Sequence, residues 1–284
     1  MNRMGEEDPS HDRLFVSWRQ LLPTLVTLAA MLSGFLSILV TVQGMVGRVG
    51  TDSAGTYFQY AALLILLAMI LDGLDGNIAR WLKGCSAFGA ELDTYVDLTA
   101  FGIAPAVLIF AVTLQHKDPT WQVLLPSCVA LSGVVRLARF KVKDPLRGQG
   151  GYAGLPITAN AAWVSLFAYI TLAPPKEELI GPVGVFFLVG VAVFIVLQVT
   201  NVRYPKPTKK AWMFIPMIIL VALLFVLPSP LDTKVAWGML VLGLVYVIIG
   251  PFFVKGMEAH KARQQQKLQS EAQLQNAPPS NTQP

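Results

Sequence analysis

Four aspartates in one short stretch of the chain are the side chains best suited to chemistry. Asp72 and Asp75 are three residues apart, and Asp93 and Asp97 are four apart, so each pair lies on one face of a helix. A short connection joins the two apolar runs that carry them, so we expect antiparallel helices with all four carboxylates at one depth. If the apolar runs span a membrane, an ionised carboxylate inside the bilayer costs about 2.5–3.5 kcal/mol. Four such residues are therefore better explained by a functional site than by chance. Glu91 nearby is better explained as an ordinary interfacial acid.

The charge of this cluster indicates what it could bind. With Arg80, the four aspartates carry a formal charge of −3, which two divalent cations would convert to +1, a suitable receptor for a phosphate ester. Oxygen ligands without histidine or cysteine favour Mg²⁺, Mn²⁺ or Ca²⁺ over zinc. Paired cations held by carboxylates are typical of phosphoryl transfer. Glycines among the acids allow a helix or a nucleotide to approach the backbone closely; they are Gly73, Gly76 and Gly89.

The elements that position these residues are predicted to be transmembrane helices. Of the 284 residues, 54% are hydrophobic and 14% are charged, whereas about a quarter of a soluble domain is charged. The alternation of a β-barrel is absent, so helices are the remaining spanning structure. The apolar runs lie at 21–46, 57–82, 92–115, 121–140, 157–173, 182–200, 211–227 and 233–254. We therefore expect an all-α, polytopic transmembrane helical bundle of about eight spans.

The distribution of lysine and arginine predicts the orientation of this bundle. If the N-terminus is cytoplasmic, eighteen of the 22 basic residues fall in cytoplasmic segments and four fall outside. This positive-inside pattern predicts that both termini are cytoplasmic in a multi-pass membrane protein. The net charge of +5 is then a consequence of topology, and we expect membrane lipid and no nucleic acid among the partners.

The acidic stretch resembles the signature of the CDP-alcohol phosphatidyltransferases. The matching array is Asp72-x-x-Asp75-Gly76-x-x-Ala79-Arg80, eight residues, and Gly89-x-x-x-Asp93-x-x-x-Asp97. The resemblance implies a six-helix transmembrane catalytic core, often a homodimer, with a site for two Mg²⁺ or Mn²⁺ ions that is open to the cytoplasm. It also implies the reaction, in which an alcohol displaces CMP from a CDP-linked lipid.

The same resemblance implies a role for each position of the array. The metal ligands would be Asp72, Asp75, Asp93 and Asp97. Asp97 would also be the catalytic base for the acceptor hydroxyl. Arg80 would contact the phosphates of the CDP moiety. The residues lining the cytidine nucleotide pocket would be Gly76, Ala79 and Gly89.

The flanking sequence resembles the phosphatidylserine synthase branch of this family, over roughly residues 20–200. The resemblance lies in FGAELDTYVDLTAFGIAPA, in RLARF at 136–140 and in GLPIT at 154–158. It implies CDP-diacylglycerol and L-serine as substrates, with phosphatidylserine and CMP as products. The sequence departs from that branch at positions that bear on the acceptor and leave the metal ligands unchanged: Thr24, Ala30, Thr94-Tyr95-Val96, Lys141 and Thr158.

Alternatives remain open at the level of the sequence. The acceptor could be another alcohol, such as glycerol 3-phosphate, an inositol phosphate or choline. From a different class, the acids could form the intramembrane site of a cation transporter. Arg136 and Arg139 are either ordinary positive-inside residues or ligands of the lipid phosphate or the serine carboxylate. The glycine-rich segment 148–156 is either a loop over the site or a linker.

The sequence divides into four parts. Residues 1–19 are expected to form a cytoplasmic N-terminal segment, residues 20–200 the catalytic core, and residues 201–256 two additional transmembrane helices. Residues 257–284 are polar and rich in glutamine, and we expect the chain to continue there as a short helix and then to form a disordered cytoplasmic tail.

Overall fold

The computed structural model describes residues 18–47, 54–114, 119–142, 151–171, 182–205 and 215–275. Nearly all of this part of the chain is helical, which confirms the predicted fold class. The helices are α1 (Trp18–Gly47), α2 (Ala54–Trp81), α3 (Ala87–Val96), α4 (Ala104–Ile109), α5 (Pro119–Val142), α6 (Ile157–Thr171), α7 (Pro182–Val199), α8 (Ile215–Val226) and α9 (Leu231–Gln275). Two π-helical stretches flank α4; they are π1 (Asp97–Ile103) and π2 (Phe110–Leu114). Two short strands pair antiparallel; they are β1 (Gly151–Ala153) and β2 (Arg203–Pro205).

Several of these helices are suited to a bilayer. The stretches long and apolar enough to cross one are Trp18–Val46, Gly55–Trp81, Ala87–Val112, Pro119–Val142 and Leu231–Met257. Helices α6, α7 and α8 are apolar and shorter. Together these elements coincide with the eight apolar runs of the sequence. The chain is therefore a polytopic integral membrane protein built from helices.

Small residues let α1 lie close to its neighbours. Ser33 on α1 donates a hydrogen bond to Leu64 O on α2 at 2.8 Å. A Cβ atom on Gly34 would lie 2.5 Å from the Cβ atom of Ala100 in π1, so this approach requires glycine. Close backbone contact and hydroxyl hydrogen bonds hold helices together in lipid, where burial of apolar surface alone gives little stabilisation.

The third transmembrane helix begins earlier than the apolar pattern predicts. The pattern predicts a start near residue 92, whereas α3 begins at Ala87, directly after its N-cap residue Ser86. The Oγ atom of Ser86 accepts a hydrogen bond from the backbone N–H of Gly89 at 3.0 Å. Hydropathy does not detect a helix start whose first turn is held by a polar cap.

Contacts at one end of the bundle join α5 to α3 and the strand pair to α9. At the end of α5, Lys141 forms an ion pair of 2.6 Å with Glu91 near the start of α3. The hydroxyl of Tyr246 on α9 donates a hydrogen bond to Pro205 O in β2 at 2.9 Å. The strand pair β1–β2 is thus attached to the last helix.

The opposite end of the bundle has its own polar contacts. The hydroxyl of Tyr169 near the end of α6 donates to Asp232 Oδ2 in the first turn of α9, at 2.8 Å. The side-chain amide of Gln59 near the start of α2 donates to Tyr169 O at 3.0 Å. These contacts show that α6 runs antiparallel to α2 and α9, as the alternating topology predicts.

Helix α9 extends past the boundary predicted at residue 257. It continues to Gln275, because the segment 257–275 lacks glycine and proline and is rich in the good helix formers Gln, Ala, Lys and Glu. The expected helical continuation is therefore present, and it reaches Gln275. Residues 276–284 lie outside the described residues, as does most of the predicted N-terminal segment.

Candidate active site

Three of the four aspartates converge where the end of α2 meets the start of α3. Asp72 and Asp75 on α2 and Asp93 on α3 each offer one carboxylate oxygen, and these three atoms lie within 4.8 Å of one another. Their spacing on α2 places the first two on one face of the helix. The antiparallel packing of α3 brings the third opposite them. The sequence predicted that the carboxylates of the two helices would lie at one depth in the membrane.

The turn between α2 and α3 fixes their relative position. Lys83 has a left-handed backbone with φ 53°, and the N–H of Gly84 bonds to Ala79 O at 2.9 Å. Together with a bond from Lys83 N to Arg80 O, this is the Schellman pattern that ends a helix. A Cβ atom on Gly84 would lie 2.0 Å from Arg19 O. The turn is therefore held directly against the start of α1.

Asp75 is the most buried of the four aspartates, with 5% of its surface exposed. The hydroxyl of Thr27 on α1 donates a hydrogen bond to Asp75 Oδ2. The same hydroxyl lies 3.0 Å from Pro23 O, and because it carries one hydrogen it serves one acceptor at a time. Helix α1 thus orients one carboxylate of the cluster.

Asp97 lies beside the group of three carboxylates and is not part of it. It is the first residue of π1 and is partly buried. Its carboxylate interacts electrostatically with Asp72, Asp93 and the guanidinium of Arg136. Arg136 comes from α5 and is 8% exposed. Helix α5 therefore supplies a buried cation at the edge of the acidic cluster.

The donor set fits divalent cations that prefer oxygen ligands. The Oδ1 atom of Asp72 is buried without a hydrogen-bond partner. Carboxylates this close repel one another, and a cation among them would remove the repulsion and satisfy the buried oxygen. Mg²⁺ and Mn²⁺ take such ligands. The residues that could hold a metal here are Asp72, Asp75 and Asp93, with Asp97 beside them.

A cleft of about 190 Å³ opens next to the cluster, between α1, α2 and α3. Its lining includes all four residues to which the resemblance assigns the CDP moiety: Gly76, Ala79, Arg80 and Gly89. A Cβ atom on Gly76 would meet the flexible guanidinium of Arg80 at 3.7 Å and no other group within 4 Å. Glycine at this position leaves the space open to a ligand.

Helix α1 contributes a wall of this cleft whose residues were not among the predicted site residues. The lining residues from α1 are Gln20, Pro23, Thr24 and Thr27. The polar residues at 20, 24 and 27 recur at helical spacing in an otherwise apolar run. That recurrence is the signal that could have identified them.

Comparison with known proteins agrees with this geometry. The family model described as CDP-alcohol phosphatidyltransferase matches residues 20–249. The chain belongs to the CDP-alcohol phosphatidyltransferase family. The match extends from α1 into α9 and contains the whole acidic cluster and the cleft beside it. Family membership decides in favour of an enzyme over a cation transporter.

Relatives of this phosphatidyltransferase come from all three domains of life. The CDP-diacylglycerol–serine O-phosphatidyltransferase of Helicobacter pylori is 31% identical over 212 residues, 73% of this chain and 83% of that protein. The archaetidylserine synthase of Methanothermobacter thermautotrophicus is 31% identical over 188 residues, 65% of this chain and 70% of that protein. The CDP-diacylglycerol–serine O-phosphatidyltransferase of Saccharomyces cerevisiae is 42% identical over 120 residues, 40% of this chain and 42% of that protein.

In this phosphatidyltransferase the two arginines of α5 have different surroundings. Arg136 faces Asp97. Arg139 donates hydrogen bonds to Val199 O and to Asn201 Oδ1, and so satisfies a carbonyl at the end of α7. Of the two, Arg136 is the one that the structure brings to the acidic cluster. The sequence placed both on one helix face and could not separate them.

The described part of segment 148–156 is attached to the end of α7. Its strand β1 pairs with β2, and Gly154 follows with a left-handed φ of 83°. A Cβ atom on Gly154 would lie 2.5 Å from Gln198 O, so both the backbone angle and the space require glycine. The described part of the segment is thus packed against β2 and the end of α7. Residues 148–150 lie outside the described residues.

Proposed function

We propose that this chain transfers the phosphatidyl group of CDP-diacylglycerol to L-serine and releases CMP. The observation that carries the proposal is the convergence of three carboxylates beside a cleft that has the residues expected around a CDP moiety. Serine as the acceptor is supported by the names of the relatives in Helicobacter pylori and Saccharomyces cerevisiae. The archaeal relative is named for a serine lipid as well.

Two divalent cations, Mg²⁺ or Mn²⁺, bind the acidic cluster in this proposal. Bound there, they supply positive charge that stabilises the diphosphate and the departing CMP. The metal ligands are Asp72, Asp75, Asp93 and Asp97. Arg80, exposed at the edge of the cleft, binds the phosphates of the nucleotide. The residues that leave room for the nucleotide are Gly76, Ala79 and Gly89.

Asp97 is the base in the proposed reaction. Its carboxylate takes the proton of the serine hydroxyl while that oxygen forms a bond to the β-phosphorus. The bond from this phosphorus to the oxygen of CMP breaks, and CMP leaves with that oxygen. Arg136, buried and facing Asp97, binds the serine carboxylate and so directs the hydroxyl toward the base.

The proposed site faces the cytoplasm. Eight helices cross the membrane, both termini are cytoplasmic, residues 20–200 form the six-helix core, and α8 and α9 are additional helices. The bias of eighteen basic residues toward one side supports this topology, as do the contacts of the basic end of α5 with the start of α3 and with the end of α7. The resemblance to the family supports a homodimer.

The decisive experiment gives the purified protein CDP-diacylglycerol, Mg²⁺ or Mn²⁺, and a panel of alcohols. The panel contains L-serine, glycerol 3-phosphate, an inositol phosphate and choline. We expect CMP release and a lipid with the mass of phosphatidylserine in the serine reaction. A product with any other alcohol, and none with serine, would overturn the proposed acceptor while leaving the chemistry intact.

Variants of the aspartates test the site itself. We expect Asp93→Asn to abolish CMP release, and Asp97→Asn to slow it by about 10²–10⁴-fold, the usual contribution of a positioned base. Asp232→Asn is the matched control, because Asp232 lies at the opposite end of the bundle, bonded to Tyr169. Turnover at the wild-type rate in Asp97→Asn, with wild-type thermal stability, would contradict the role of the base.

A further inference from the structure

A second cavity lies between core helices and the last helix, outside the acidic site. Its volume is about 250 Å³, and its lining, from α2, α6, α7, α9 and the residues just before α6, is almost entirely apolar. Its lining includes Met69, Ala162, Trp163, Leu166, Gly243 and Leu244. We refer to this cavity as the lateral cleft.

The lateral cleft begins one helical turn from the acidic cluster. Met69 precedes Asp72 by three residues on α2, so the two lie on the same face, about 4.5 Å apart along the helix axis. Because α2 ends at the acidic cluster, Met69 lies on the side of the cluster that faces the interior of the bilayer. The cleft extends from there to Trp163 and Leu166, which lie deeper along α6.

We propose that the lateral cleft holds one acyl chain of the CDP-linked lipid, so that α9 takes part in substrate binding. This inference rests on the proposed function, which supplies a lipid whose diphosphate lies at the acidic cluster. An acyl chain that leaves that position toward the bilayer interior meets the lateral cleft one helical turn away. Almost no polar group lines the lateral cleft, so it suits a hydrocarbon chain and not a headgroup.

Gly243 leaves space in the wall that α9 forms along the lateral cleft. A Cβ atom on Gly243 would have no protein atom within 4 Å, although the residue lines the cleft. A side chain at this position therefore has room to begin in the cleft that the residue lines. It would occupy the space that we assign to the acyl chain.

Gly238 provides a matched control on the same helix. It also has no protein atom within 4 Å of a built Cβ atom, and it is exposed. It is not among the residues that line the cleft. The five-residue offset from Gly243 turns it to a different face of α9. A phenylalanine at position 238 thus repeats the change in bulk and helix propensity without blocking the cleft.

The experiment compares Gly243→Phe with Gly238→Phe on CDP-linked lipids that carry dibutyryl, dioctanoyl or dioleoyl chains. We expect Gly243→Phe to raise KM several-fold for the dioleoyl substrate and to leave KM for the dibutyryl substrate unchanged. Gly238→Phe should match the wild type at every chain length. Ala162→Leu narrows the cleft from the opposite wall on α6 and should show the same dependence on chain length.

Three outcomes can be told apart. A chain-length-dependent rise in KM for both cleft variants supports the inference. If Gly243→Phe, Ala162→Leu and Gly238→Phe all have the KM of the wild type at every chain length, the inference is wrong. CMP release by the wild-type protein in the same assay shows that the proposed function stands. If wild-type protein releases no CMP from any of these lipids with serine, both the proposed function and the inference fail.

Discussion

Thr27 is the residue through which α1 reaches the acidic cluster. Its side chain is 4% exposed, and its hydroxyl donates to Asp75 Oδ2. A hydrogen bond of this kind fixes the orientation of a carboxylate before a cation arrives. Metal affinity should therefore depend on a residue that is not itself a metal ligand.

Replacing Thr27 with valine removes the donor and keeps the shape of the side chain. We expect the affinity for Mn²⁺ to fall by about 10–100-fold, the usual cost of losing a group that orients a metal ligand. Electron paramagnetic resonance of free Mn²⁺, titrated against purified protein without lipid, measures this directly. A saturating concentration of Mn²⁺ should restore CMP release.

Thr41→Val is the control for this variant. Thr41 is also a buried threonine of α1, and its hydroxyl donates to Ser37 O at 2.8 Å within the helix. Its hydroxyl therefore has the same kind of carbonyl neighbour, four residues earlier, as the hydroxyl of Thr27, but it lies away from the carboxylates. Equal Mn²⁺ affinities in Thr27→Val, Thr41→Val and the wild type would show that Thr27 does not orient a metal ligand.

At the scale of elements, the turn from α2 to α3 determines whether the carboxylates of the two helices meet. A local pattern ends α2, with Lys83 in the left-handed region. A tertiary contact then fixes the direction of the chain, because Gly84 packs against the backbone of Arg19 in α1. Three helices therefore meet at a single glycine.

Gly84→Ala tests this junction. A methyl group at position 84 would lie 2.0 Å from Arg19 O, so the backbone of α1 or the turn has to move. We expect a loss of about 1–3 kcal/mol in stability, as for other overpacked sites. The measurement is the thermal unfolding midpoint in detergent, together with CMP release.

Gly238→Ala should give the opposite result. A methyl group there meets no protein atom within 4 Å, and alanine favours the helix by up to about 1 kcal/mol. We therefore expect an unchanged or higher midpoint for this control. An equal midpoint for Gly84→Ala and wild type would mean that the junction tolerates a side chain.

At the scale of the whole molecule, polar contacts are found at both ends of the bundle, with the acidic site at one of them. The end that holds the site also holds the ion pair of Lys141 with Glu91, and Cys85 is exposed there in the lining of the cleft. The other end has Tyr169 and Asp232 in contact. The proposed topology assigns the first end to the cytoplasm.

Cysteine labelling tests this assignment. The chain has two cysteines, so Cys128→Ser leaves Cys85 as the single thiol. We expect a membrane-impermeant maleimide to label Cys85 in inverted membrane vesicles and not in intact cells. The reason is that the exposed thiol lies at the mouth of the site, which the positive-inside bias places in the cytoplasm.

A cysteine at the other end supplies the control. Lys234 is exposed near the start of α9. In a protein that lacks both native cysteines, Lys234→Cys should be labelled in intact cells. Labelling of Cys85 in intact cells, with Lys234→Cys protected, would reverse the proposed orientation.

Local periodicity along the chain was enough to predict the helices and the acidic cluster. The spacing of the four aspartates placed their carboxylates on facing helix surfaces at one depth, and the structure brings three of them together, Asp72, Asp75 and Asp93, with Asp97 beside them. The apolar runs indicated the helices, because a bilayer leaves the backbone few alternatives. The family was evident for the same reason, since its signature is a set of residues at fixed helical spacing.

Interactions between distant parts of the chain became evident from the packing of the helices. It placed Arg136 within electrostatic reach of Asp97 and bonded Arg139 to the end of α7, although the two arginines are three residues apart. It brought Thr27 of α1 to Asp75 and opened the lateral cleft between α6 and α9. Helical periodicity fixes the face on which a residue lies, whereas its partner depends on how separate helices pack, and that information is spread over the whole chain.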